Sequence, residues 1–529
     1  MKKILPFLFI LSSISFLLPS CKKSFSDLNI NNNKPISVQP SLLLNGILND
    51  LYDRPYAKAE IWDQYYIYNY DYYGDNRYDF GSGDTYFATL KNVLKMEQEA
   101  KTAGLPELNP YAALGKFFRA YFFTKMSLQM GDVPMTEALQ GLGNFTPVYD
   151  PQKKVFQQAL LWLDDANADL TLLIPNKEVS LSGDIYFNND LKKWQKTVNT
   201  FKLRLLIELS KKESDADLLV KQQFAVVINN PTKYPIMESE ADNLQYTYLN
   251  PTNRYPNNPG NFGFDGSRNN TSATYVGLLT QLKDPRVFVT AEPARYTVDT
   301  LHQSPTAFSS FVGADPGLDL GVMYNNASLQ KYSLLNRKRY YSTYTAENSI
   351  QIGYAEMCFN IAEAINRGWV SGTAETWYTA GIRSSMRFYN LPDAGGPTTF
   401  AAYFYRPGST AVDQLQNYDA YNIMVDWTSY YNQPLVKYAG DNLTGLTEIL
   451  QQKYLALFRH SGLESYYNYR RTGVPTFTTG PGTGNSGRIA KRFKYPGSEN
   501  SANTVNYQAA LQRQFGGNDD INGVMWLLQ

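Results

Sequence analysis

Histidine and cysteine are nearly missing from this chain. Its 529 residues include only His302 and His460, and only Cys21 and Cys358. So few imidazoles argue against a His-based zinc site and against a Ser/His or Cys/His nucleophilic centre. Two cysteines make no disulfide framework. An excess of either charge is also lacking: 49 Lys and Arg stand against 48 Asp and Glu, a net charge of +1. Nothing in that balance draws the protein toward nucleic acid. Beyond the N-terminal segment, no apolar run approaches the length of a bilayer span.

The N-terminal segment is different. Lys2 and Lys3 precede an apolar run over 4–18, and Leu18-Pro19-Ser20-Cys21 follows. A positive start, an apolar stretch and a small residue before Cys make a secretory signal of the bacterial lipoprotein type. The thiol of Cys21 is the expected lipidation site, and several acyl chains anchor a protein far more firmly than one. The expected division is a signal peptide over 1–20, a lipidated tether over 21–40 and a single domain over 41–529, anchored to a membrane by lipid.

Aromatic residues are abundant: Tyr 41, Phe 28 and Trp 7. They are densest over 61–80, where no single helical or strand period gathers them on one face. The first half, Trp62 to Tyr68, reads as core. The second half reads as an exposed loop turning at Gly74, with Tyr70, Tyr72, Tyr73, Asn76, Arg77 and Tyr78 as candidate ligand residues. Flat rings beside amides and charges suit a sugar, whose C–H faces stack while its hydroxyls bond to polar neighbours. A peptide could use the same surface. Asp71, Asp75, Asp79 and Asp84 lie in this region as well. Ca²⁺ is conceivable there, but the spacing lacks EF-hand order and its closing Glu, so a solvated loop and no cofactor is the reading.

Helical periodicity carries the rest. In 351–390, Tyr354, Met357, Cys358, Ile361, Ala362 and Ile365 form one apolar stripe, with Glu356, Asn360, Glu363 and Arg367 on an expected wet face. Gly368 fits a left-handed C-cap and Thr373 an N-cap. Small Gly381 and Ser385 allow close approach of the two helices. Such a hairpin has tetratricopeptide size and needs neighbours to bury its face. Further helices are expected over 41–51, 84–101, 109–130, 155–173 and 191–210, with 447–459 as the last strong one. Segments 230–348 and 391–439 read as irregular, apart from a short helix near 275–282. Arg204, on a mostly apolar helix, reads as a paired core arginine.

Several motifs resemble the SusD/RagB family of Bacteroidetes nutrient-binding lipoproteins, in its SusD-like branch. They include Gly131-Asp132-Val133-Pro134, Leu203-Arg204-Leu205, Asp284-Pro285-Arg286, Glu363-Ala364 with Arg367-Gly368-Trp369, Gly381-Ile382-Arg383, and Tyr469-Arg470-Arg471-Thr472-Gly473. Arg492, Tyr495-Pro496, Glu499 and Asn506-Tyr507 resemble its tail. The resemblance implies a mainly α fold, in which four tetratricopeptide-like helix pairs form a scaffold and long irregular inserts build the ligand face. It implies capture of nutrient oligomers for a TonB-dependent, SusC-like β-barrel transporter, with no covalent chemistry. Family ligand residues sit on early loops and on inserts such as 255–270, which adds Tyr255, Phe262 and Asn269 as candidates. Oligosaccharide is the first ligand class and peptide the second. A secreted glycoside-active enzyme and a protein-binding scaffold are the alternatives. Glu464, Arg470 and Arg471 read as an ion-pair network tying the last helix to the C-terminal tail. Gly482 to Gly487 spells GxGxxG but follows no strand and opens no helix, so it reads as a loop.

Overall fold

Asn109, Pro110 and Gly131 bracket one deeply buried helix. Asn109 accepts the Ala112 amide at 3.0 Å, Pro110 occupies the first turn, and Gly131 ends the helix at a φ of 100°. Each supplies what a helix end requires: an N-cap acceptor, a preset φ and a backbone without Cβ strain. The computed structural model describes residues 37–70, 74–176 and 178–529. The expected signal peptide, Cys21, most of the tether, Asp71, Tyr72 and Tyr73 lie outside them.

The main elements in chain order are α1 (Pro40–Asp50), β1 (Tyr66–Tyr68), α2 (Phe87–Thr102), α3 (Pro110–Met130), α4 (Gln152–Leu173), α5 (Leu191–Glu208), α6 (Val220–Asn229) and β2 (Asn269–Thr271). Then come α7 (Ala273–Gln281), α8 (Leu320–Ser328), α9 (Tyr354–Asn366), α10 (Ala374–Phe388), β3 (Pro397–Tyr405) and β4 (Tyr418–Asp426). The chain closes with α11 (Leu443–Ala456), α12 (Glu464–Thr472) and α13 (Thr504–Phe515). The pairs α2–α3, α4–α5 and α9–α10 form a tetratricopeptide-like scaffold, with α11 packed against α9 and α10 and α12 against α5. Strands among the described residues pair only two at a time. From Pro40 to Gln529 the chain packs as one compact unit.

Two apolar clusters meet at α9. Met357, Cys358, Ile361 and Ile365 face the helical scaffold, whereas Phe359 and Ala362 face a second core under the inserts. This overturns the expected wet face: Glu356, Asn360 and Glu363 are all buried. A helix covered on both sides has no solvent face, so its carboxylates must find cations inside the protein. Arg204 donates from Nε to Glu356 Oε1 at 2.7 Å, and its Nη2 reaches the Gln351 carbonyl at 2.8 Å. Glu363 takes Arg367 at 2.8 Å, the expected i,i+4 pair, and also Arg471. Asp284-Pro285-Arg286 is equally structural. The buried Arg286 binds Asp284 at 2.9 Å, Ser385 of α10 at 2.9 Å and Gln452 of α11 at 2.5 Å, which pins the insert to the scaffold.

Other expectations are corrected. Thr373 precedes α10 without a side-chain cap. The 391–439 stretch holds an antiparallel hairpin, with Pro397 opposite Asp426 and Tyr405 opposite Tyr418. The first residues of β3 are exposed, so no inside–outside alternation marks them. Segment 230–348 contains α8 as well as α7, and α13 follows the helix that reads as the last strong one. Glu464, Arg470 and Arg471 do not pair with one another. Arg471 meets Glu363, Arg470 donates to the Lys491 and Leu128 carbonyls at 2.7 and 2.8 Å, and Lys453 approaches Glu464 at 3.8 Å. The GxGxxG letters form short 3₁₀ turns, where the Asn485 amide is already given to Asp79 at 2.7 Å.

Candidate functional site

Tyr66, Ile67 and Tyr68 form β1, a short aromatic and β-branched strand, and its partner is β2, 200 residues downstream in sequence. The register is antiparallel, with Ile67 opposite Asn270 and Tyr68 opposite Asn269. That pairing carries the end of the aromatic stretch to the inserts. Asn69 locks the junction: its amide donates to the Arg268 carbonyl at 3.0 Å, and its side chain to Ser267 at 2.9 Å and Asn270 at 2.7 Å. Asn76 fastens the other side, accepting the Tyr68 amide at 3.0 Å and donating to the Tyr68 carbonyl at 2.7 Å.

Tyr70 leaves this clasp pointing into a cavity of about 590 Å³, within the usual range of small-molecule sites. The residue is 49% exposed, and its ring meets that of the 54% exposed Tyr324 edge to face, centroids 6.0 Å apart. The Arg268 guanidinium lies 5.4 Å from the Tyr70 centroid. Tyr324 stands on α8, which Asp319 caps by accepting the Gly321 amide at 2.9 Å. The remaining wall includes Glu292, Tyr332, Arg337, Tyr405 and Arg406.

The charges in this wall are arranged rather than loose. Glu292 accepts the Arg337 amide at 3.0 Å and pairs with its guanidinium, which lies 5.3 Å from the Tyr405 ring centroid. Arg406 pairs with Asp419 at 2.8 Å. The buried Tyr405 hydroxyl and Arg337 Nε have no hydrogen-bond partner. Burial pushes the Tyr405 phenol up, so it stays a neutral donor at ordinary pH. The site therefore offers two exposed rings for stacking, with guanidinium groups beside them. No nucleophile–base pair stands out. Among the described residues, no group of three His, Cys, Asp or Glu could hold a metal ion.

Of the residues singled out from the sequence, Tyr70 lines this cavity. Phe262 packs behind it, 5.3 Å from Tyr405 by centroids, and the buried Asn269 sits in β2. Asn76 is a buried clasp. Arg77 is exposed elsewhere and pairs with Asp79 at 2.6 Å. Tyr78 and Tyr255 are buried, the first donating to the Trp62 carbonyl at 2.6 Å and the second accepting from Arg459 at 2.9 Å. Tyr65 and Tyr66 are core, as the first half of the stretch implies. Arg268, Glu292, Tyr324, Tyr332, Arg337 and Tyr405 come from separate segments, and no local pattern marks them.

The chain matches, over residues 32–496, the model of a SusD-like family described as starch-binding and associating with the outer membrane. Among solved structures, a SusD homolog from Bacteroides fragilis NCTC 9343 is 30% identical. It superposes with a TM-score of 0.79 over 93% of this chain and 100% of its own. A second B. fragilis SusD homolog is also 30% identical, with a TM-score of 0.76 over the same shares. A chitin-binding SusD homolog from Flavobacterium johnsoniae, 19% identical, shares the fold with a TM-score of 0.68 over 93% of this chain and 98% of its own. A comparison with curated proteins finds no match. SusD-like homologues are binding proteins, not enzymes. No helix among the described residues is long and apolar enough to cross a membrane. With a helix-pair scaffold, a loop-built aromatic cavity and a family model matched over most of its length, this chain belongs to the SusD-like family.

Proposed function

We propose that the protein captures oligosaccharides at the outer membrane and passes them unmodified to a TonB-dependent, SusC-like transporter. The observation that carries this reading is the exposed Tyr70–Tyr324 platform beside the Arg268 guanidinium. Rings offer a stacking surface to sugar C–H faces, and guanidinium N–H groups in the wall suit sugar hydroxyls. The chitin-binding relative supports a glycan over a peptide as ligand. In this reading Cys21 carries the lipid anchor after removal of 1–20, residues 21–40 tether the protein on the cell surface, and 41–529 form one ligand-binding domain.

The test is native mass spectrometry of the protein against mixed oligosaccharide and peptide panels, with ligand masses checked after incubation. A retained, unmodified oligosaccharide is expected. Cleaved products would overturn the non-catalytic reading, and retention of peptides alone would overturn the ligand class. Loss of acyl-chain labelling in C21A tests the anchor.

A further inference from the structure

Among the described residues, the wall of the Tyr70 cavity carries four arginines, Arg268, Arg295, Arg337 and Arg406, one carboxylate, Glu292, and no lysine. The chain as a whole is balanced, 49 Lys and Arg against 48 Asp and Glu, so this excess of positive charge is local to the cavity. A cleft lined by one sign of charge attracts the opposite sign and raises its concentration there.

Glu292 is already committed. It is buried, accepts the backbone amides of Arg337 at 3.0 Å and Tyr405 at 3.3 Å, and pairs with the Arg337 guanidinium. Arg337 thus matches the one acid of the wall, and Arg268, Arg295 and Arg406 remain. The acids that meet these three stand outside the wall. Arg295 donates from Nε to Asp299 at 3.0 Å, and Arg406 from Nε and Nη2 to Asp419 at 3.0 and 2.8 Å. The side chains of Asp299 and Asp419 are 50% and 40% exposed, so water screens both pairs and each is weak. Asp265, which feels the Arg268 charge, is not part of the wall either. Nη1 of Arg295 makes no hydrogen bond among the described residues.

That every cation here is an arginine also matters. A guanidinium is planar: its parallel N–H groups match the two oxygens of a carboxylate, and its face suits an aromatic ring. Arg268 lies 5.4 Å from the Tyr70 centroid, so a sugar stacked on Tyr70 has a guanidinium at its edge. Resting on the oligosaccharide reading of this cavity, we infer that its ligand is acidic: a uronate oligosaccharide. Its rings lie on Tyr70 and Tyr324, and its carboxylates meet Arg268, Arg295 and Arg406.

The probes are two matched pairs: galactotetraose with tetragalacturonate, and cellotetraose with its uronate form. Within each pair only a carboxylate in place of each primary alcohol differs, and each sugar is titrated calorimetrically into the full chain. At least one uronate should bind about tenfold more tightly than its neutral partner, because charge-assisted hydrogen bonds outdo neutral ones. Raising NaCl from about 0.05 to about 0.5 M should weaken that uronate severalfold and barely move the neutral sugar. R268Q and R406Q should each cost the uronate about five- to tenfold and the neutral sugar less than about twofold, whereas a merely structural loss would lower both. Arg406 is exposed, so R406Q keeps the test open if R268Q fails to fold. Equal affinity within both pairs, binding of neutral sugars alone, or a uronate preference unaltered in the folded variants would overturn the acidic class and leave the oligosaccharide reading standing. Silence toward sugars of both kinds would overturn that reading, and this inference with it.

Discussion

Glu363 of α9 and Arg471 of α12 lie 108 residues apart in sequence and meet as a buried, two-pronged ion pair. Arg471 donates from Nη2 to Glu363 Oε2 at 2.9 Å and from Nη1 to Oε1. The pair joins the hairpin to the C-terminal part of the chain, and Arg471 also donates to Ser210, just after α5, at 2.9 Å. Truncating one partner of a buried pair leaves the other charge uncompensated, at a cost of about 3–5 kcal/mol. Arg471→Met should therefore lower unfolding free energy by about that amount, because Arg367 alone remains to Glu363. Urea unfolding measures it; a loss below about 1 kcal/mol would mean that the pair contributes little.

Two carboxyls in this interior give stability opposite dependences on pH. The Arg471 guanidinium offsets burial and holds Glu363 at about 2, below its unfolded value of 4.5. Its contribution is complete above 4.5 and fades as pH falls toward 2. Glu464 is pushed up to about 8 by burial and by Glu208. Its contribution is complete below 4.5 and declines as pH rises to 8, because only the unfolded state gives up the proton. E464Q, which fixes the neutral form, should raise the melting temperature relative to the parent at pH 8 and change it little at pH 5. A melting-temperature difference equal at both pH values would show that Glu464 is already ionised in the folded protein.

Gly381 of α10 faces Phe359 of α9 so closely that an added Cβ would lie 2.7 Å from the ring. The ring is fully buried and touches the second core, so it has little room to withdraw. G381A should destabilise by about 1–3 kcal/mol through overpacking, against the gain that Ala usually brings inside a helix. Thermal unfolding checks the sign, and a more stable G381A would mean that α9 and α10 can separate freely.

This close approach was legible in the sequence, as were the helix pairs, because both depend on spacing within one segment. The wet face assigned to Glu356, Asn360 and Glu363 was not, since only the folded inserts place a second core over α9. Nor was the β3–β4 hairpin, whose exposed first residues give no alternation. Tyr70 was readable as an exposed ring because its crowded neighbours could not all be buried. Its partner Tyr324 was not, because α8 reaches it through the inserts and no period links the two positions. Local chemistry thus names one side of the cavity, and tertiary pairing of β1 with β2 supplies the rest.

Tyr70 and Tyr324 expose much of their rings and contribute little to the core, so removing them tests binding apart from folding. Each stacked aromatic is worth about 1 kcal/mol beyond area burial, hence Y70A and Y324A should each weaken oligosaccharide binding about five- to tenfold. Melting temperatures should stay within about a degree or two of the parent, as for other exposed substitutions. Because the rings touch edge to face, their losses should not simply add: contacts shared within one platform couple by about 0.5 kcal/mol or more. Calorimetric titration of both single variants and the double variant closes that cycle. Strict additivity would place the sugar on the two rings separately, and unchanged affinity in all three would remove this platform from the binding site.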